Sequence, residues 1–88
     1  MNTEVYGVLV FKSTHHTIQA ENMFKEKNLS FKTIPTPREI SLSCGLAILI
    51  TLDDLEIVKD MMMDSKISVL NVYKYIRDGK KNQYEKII

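Results

Sequence analysis

The feature that most constrains this chain is its longest apolar run, Leu46-Ala47-Ile48-Leu49-Ile50, followed by Thr51. It is far too short to span a bilayer and reads as a strand at the centre of a sheet. The remaining patterns supply its neighbours. Val5-Tyr6-Gly7-Val8-Leu9-Val10-Phe11 is rich in β-branched and aromatic residues and stops at Lys12-Ser13-Thr14, which predicts a first strand. From Thr14 to Lys27, Ile18, Ala20, Met23 and Phe24 recur at helical spacing, with Ser13 or Thr14 as the cap and an end near Asn28. Leu29 to Ile34 alternates with a period of two and predicts a strand that Pro35 and Pro37 close.

After the central run, Asp53 or Asp54 caps a second helix reaching about Lys66, with Leu55, Ile57, Val58, Met61 and Met62 as its apolar stripe. Ile67 to Ile76 forms a last strand before Asp78-Gly79 breaks the chain. Tyr73 and Tyr75 are assigned to opposite faces of that strand, one to the core and one to solvent or a second copy of the chain. The order β-α-β-β-α-β predicts an α+β domain over residues 1–78 with a C-terminal tail at 79–88. Its expected architecture is the ferredoxin-like split β-α-β: a four-stranded antiparallel sheet, the third strand between the first and second, and both helices on one face.

Composition excludes several classes. Twelve basic and 11 acidic residues leave a net charge of +1, which supplies no field for nucleic acid or an anionic membrane surface. Asn2-Thr3-Glu4 lacks the basic flank of a signal peptide, so the expected compartment is the cytoplasm. The one cysteine forms no internal disulfide and no four-thiolate zinc site, and no cofactor or metal is expected. Met61-Met62-Met63 lies on a helix and is read as packing. There is no phosphate-binding glycine loop and no usable Ser-His-Asp order.

The remaining chemistry gathers at Cys44, in Pro35-Thr36-Pro37-Arg38-Glu39-Ile40-Ser41-Leu42-Ser43-Cys44-Gly45. Thr36-Pro37-Arg38-Glu39 has the pattern of a capping box and predicts one helical turn. In the expected topology the third strand begins beside the end of the first, so Cys44 should face Ser13, Thr14, His15 and the first helix N-terminus. A helix N-terminus, the Arg38 guanidinium and the His15 imidazole each favour a thiolate, so the thiol should ionise below its ordinary value of about 8.5. A buried, inert Cys44 at the rim of the core is the alternative. His15 and His16 are adjacent on a helix, so only one of them can face the site.

At Ser13-Thr14-His15 and along Pro35 to Leu46 the chain resembles the small bacterial proteins classed as selenium/sulfur carrier-like, over roughly residues 5 to 75. His16 stands where that family more often has an acidic residue. The resemblance implies that Cys44 holds sulfur or selenium as a persulfide or selenosulfide and relays it from a cysteine-desulfurase-like donor to an acceptor protein. The chain would then be a carrier rather than a turnover enzyme. Arg38 would anchor the anion, His15 would serve as a hydrogen-bond or proton partner, and Ser13, Thr14, Ser41, Ser43 and Gly45 would line the site. A second reading is a non-catalytic module whose sheet forms a homodimer and whose motif loop binds an anion or small ligand.

Overall fold

The computed structural model describes residues 3–37, 45–64, 66–79 and 81–87. Its elements are β1 (Thr3–Val10), α1 (Thr14–Glu26), β2 (Phe31–Pro35), β3 (Leu46–Thr51), a 3-10 turn (Leu52–Asp54), α2 (Leu55–Met63), β4 (Asn71–Asp78) and β5 (Lys81–Lys86). The strands form one sheet in the order β2-β3-β1-β4-β5, and every neighbouring pair is antiparallel. The apolar run lies between β2 and β1, as its composition predicts.

The expected four strands are five. Lys81–Lys86 falls in the residues assigned to a tail, yet pairs with β4 from Asp78↔Lys81 to Tyr73↔Lys86. The turn that starts this pairing contains Gly79 at φ +60°, a left-handed conformation that glycine adopts without the steric cost of a Cβ. Asp78-Gly79 therefore turns the chain into another strand.

Helix α1 begins at Ser13, whose side-chain oxygen accepts from the His16 amide. It ends in a Schellman motif. Asn28 takes φ +57°, its amide donates to the Lys25 carbonyl, and the Leu29 amide donates to the Phe24 carbonyl at 2.9 Å. The Thr33 hydroxyl donates to Glu21 and ties β2 to this helix. Helix α2 has no side-chain cap at Asp54; the 3-10 turn leads into it instead.

Period-two alternation divides the strands between two apolar layers. Leu9, Phe11, Ile48, Ile50 and Val72 pack with Ala20 and Phe24 of α1 and with Leu55, Val58 and Met61 of α2. Both helices thus share one layer with one sheet face. Gly7 leaves the space that Ile50 Cγ1 and Leu55 Cδ1 occupy; a Cβ there would lie 3.2 Å from the first and 3.7 Å from the second. Ile18 and Ile57, expected in the helix stripes, are largely exposed, and Thr17 takes a core position in α1. On the other face, Val8, Val10 and Ala47 are covered in part by Ile34, Leu49, Tyr73 and Tyr75. Tyr73 and Tyr75 therefore share a face, because residues two apart in a strand project to the same side.

Candidate functional site

The register fixes the stem of the motif segment. Pro35 pairs with Leu46, and the Thr36 amide donates to the Gly45 carbonyl at 3.1 Å, so the connection between β2 and β3 is closed at both ends. Gly45 is an exposed bend, and among the described residues no atom lies within 4 Å of where its Cβ would stand. The position accordingly has room for a side chain. The Thr36 hydroxyl is buried and lacks a hydrogen-bond partner among the described residues, a departure from the usual pairing of buried polar groups. Sequence reasoning gave Thr36 only a capping role.

Cys44, Arg38, Ser41 and Ser43 lie outside the described residues, as does the Glu39 end of the expected capping box. The companion segment is described in full. The last β1–β3 pair toward this end is Val10↔Ala47, so β1 leaves the sheet toward α1 at the end where Gly45 enters β3. Ser13 is engaged by its own helix: its hydroxyl lies 3.0 Å from His16 Nδ1, and its carbonyl accepts from both the amide and the hydroxyl of Thr17 at 3.2 Å. The Ser13 hydroxyl thus meets both the amide and the ring of His16. Thr14 and His15 are exposed, whereas His16 is half-buried, its ring 5.9 Å from that of His15. The exposed imidazole is thus His15.

Among the described residues no group of three or more His, Cys, Asp or Glu side chains is placed to hold a metal ion. No helix among them is long and apolar enough to cross a membrane. A second polar cluster, on the sheet face away from the helices, escaped the sequence analysis. There the Tyr6 hydroxyl donates to Glu4, and the Tyr75 hydroxyl donates to Asn82 Oδ1 at 3.2 Å. The hydrogen bond to the Glu4 carboxylate holds the Tyr6 phenol above the ordinary value of 10.0. The signal available in the sequence was the spacing of Tyr73 and Tyr75, both on one strand face, but the pairing partners Tyr6 and Tyr84 required the register.

Topology and sequence together define a small α+β protein whose single cysteine falls in the connection between two neighbouring antiparallel strands. The family model described as putative Se/S carrier protein-like matches residues 6–74, and the chain belongs to that family. No curated protein and no solved structure matches it.

Proposed function

We propose that the chain is a cytoplasmic sulfur or selenium carrier that holds the chalcogen on Cys44 and relays it from a cysteine-desulfurase-like donor to an acceptor protein. The observation that carries this reading is the family match, because residues 6–74 contain both the Ser13-Thr14-His15 segment and the whole Pro35 to Leu46 segment. The first four strands are in keeping with the ferredoxin-like arrangement expected from the order of the elements: they run β2-β3-β1-β4, with every neighbour antiparallel.

In the proposed step the Cys44 thiolate attacks the outer sulfur of the donor's cysteine persulfide. The Cys44 S–S bond forms as the donor's S–S bond breaks, and the donor cysteine leaves as a thiolate. The transferred sulfur keeps its oxidation state, so no external oxidant or reductant enters. Attack by an acceptor thiolate on the same outer sulfur reverses the exchange and restores the Cys44 thiolate. One cysteine suffices, whereas a dithiol oxidoreductase would require a resolving thiol.

In this reading Arg38 pairs with the anionic persulfide, and His15 supplies a hydrogen-bond donor or takes the proton of the Cys44 thiol as the thiolate forms. Ser41, Ser43 and Thr14 add hydrogen bonds, and the amide end of α1 favours negative charge. Its support is the exposure of His15, the arrival of Gly45 at the end of the sheet where α1 begins, and the unpaired Thr36 hydroxyl at the stem.

The test is incubation of the purified chain with a cysteine desulfurase and cysteine, followed by non-reducing intact-mass measurement. A sulfur-mass adduct on the chain, removed by dithiothreitol and missing from Cys44→Ser, is the expected result. A chain that stays unmodified while the desulfurase itself becomes persulfidated would end the carrier reading.

A further inference from the structure

All four tyrosines of the chain stand on the sheet face away from the helices. Tyr6 and Tyr75 pair across β1 and β4, Tyr73 pairs with Val8, and Tyr84 pairs with Tyr75 across β4 and β5. The Tyr75 and Tyr84 rings stack at 4.9 Å with 12° between their planes, and the Tyr6 and Tyr75 rings at 6.1 Å with 27°. Tyr6, Tyr75 and Tyr84 line a cavity of about 500 Å³, to which Leu49 and Ile34 contribute apolar surface above the fully buried Val8. Lys32 on β2 and Arg77 on β4 are its charged lining residues, rooted on opposite sides of that surface, and no carboxylate lines it among the described residues. Glu4, on the same face, already accepts from the Tyr6 hydroxyl.

Each part selects for a ligand property. An apolar floor beside a stack of aromatic rings suits a flat ring, which gains by extending the stack. Two cations with flexible reach suit phosphate oxygens, to which they make charge-assisted hydrogen bonds. The cavity volume falls within the range of small-ligand sites. The net charge of +1 does not provide the extended basic surface that long nucleic acids require, which favours a free molecule over a polymer.

We propose that this trough binds a free nucleotide, its base laid against Tyr6 over Leu49 and its phosphate met by Lys32 and Arg77. The site uses none of the Cys44 segment, so it stands or falls apart from the carrier chemistry.

The test is an amide-resolved NMR titration of the full chain with AMP, adenosine, ribose 5-phosphate and a single-stranded RNA of about ten bases, near the footprint of a small single-strand-binding fold. AMP should shift the amides of Tyr6, Val8, Lys32, Leu49, Tyr75 and Arg77, and should bind more tightly than either of its halves. Lys32→Glu and Arg77→Glu, both at exposed positions, should each weaken AMP about tenfold, the loss of one charged contact. Both variants should keep the thermal unfolding of the parent, and Cys44→Ser should bind AMP as the parent does. The proposal is overturned by an absence of shifts at about 5 mM AMP, which would put any Kd well into the millimolar range. It is equally overturned by undiminished binding in the doubly reversed variant, by dilution-dependent shifts showing that a second copy covers the face, or by RNA binding more than about a hundredfold tighter than AMP.

Discussion

The two faces of the sheet are built from alternate residues of the same strands, yet they follow different rules. The helix-side layer holds Phe11 and Phe24, with Phe31 packed against it, and its polar contacts sit at the edges, such as Thr33 with Glu21. The other face holds Tyr6, Tyr73, Tyr75 and Tyr84, whose rings are half-buried and whose hydroxyls include donors to Glu4 and Asn82. Phenylalanine is retained where water is excluded, and tyrosine where one edge of the ring meets polar partners. The helix-side layer thus holds the larger buried cluster, while the other face buries Val8, Val10 and Ala47 under residues that stay half-buried themselves.

The sharpest way to break that contrast is truncation of one ring on each side. Phe24 is fully buried and meets Phe31 edge-on at 5.6 Å, so Phe24→Ala should cost about 3–5 kcal/mol, a large part of the stability of a domain this size. Tyr84→Ala, on the outermost strand, should cost about 1 kcal/mol through the lost stacking on Tyr75. Chemical denaturation of both variants measures the difference directly. Equal losses would mean that the tyrosine face is a second core.

Glycines extend the comparison at smaller scale. Gly7 projects toward the helix-side layer, where a Cβ would come within 3.2 Å of Ile50 Cγ1, and Ile50 is itself 2% exposed. Gly7→Ala should therefore destabilise the domain by about 1–2 kcal/mol through overpacking. At Gly45 the same substitution meets nothing within 4 Å among the described residues and should change stability by less than about 0.5 kcal/mol. A substantial loss from Gly45→Ala would show that the backbone there needs glycine for a reason other than space.

How far the sequence could be read follows from what each signal depends on. The apolar run and the two amphipathic stretches are local patterns dominated by burial, so an interior strand and both helices were legible, and the expected topology placed β3 between β2 and β1; the fifth strand makes β1 the middle of the sheet. Strand β5 was not: Lys81-Asn82-Gln83-Tyr84-Glu85-Lys86 has a single apolar body, Tyr84, and its strand character comes from pairing with β4. The same dependence hid the tyrosine row, since Tyr6 and Tyr84 are far apart in sequence and meet only through the register on either side of β4. At the candidate carrier site, the motif around Cys44 was legible as a family signature, and Ser13 was legible as a cap. The split between a half-buried His16 and an exposed His15 was not, because it depends on the Ser13 hydroxyl engaging Nδ1 of the second ring.

The smallest effect concerns protonation on the tyrosine face. Donation to the Glu4 carboxylate favours the neutral Tyr6 phenol in the folded chain, raising its ionisation above 10.0. By linkage, a group with a raised folded-state value contributes its stability in full below the unfolded value near pH 10.0 and loses it as pH rises through the folded value. Tyr6 is half-buried at the sheet surface, and the titration itself is the more sensitive readout. Ultraviolet difference absorbance of the phenolates should show a component above pH 10.0 that disappears in Tyr6→Phe and moves down toward the ordinary tyrosine range in Glu4→Gln. A titration unchanged by Glu4→Gln would mean that the carboxylate does not hold the phenol in solution, and that Glu4 is left to oppose an anionic ligand on this face.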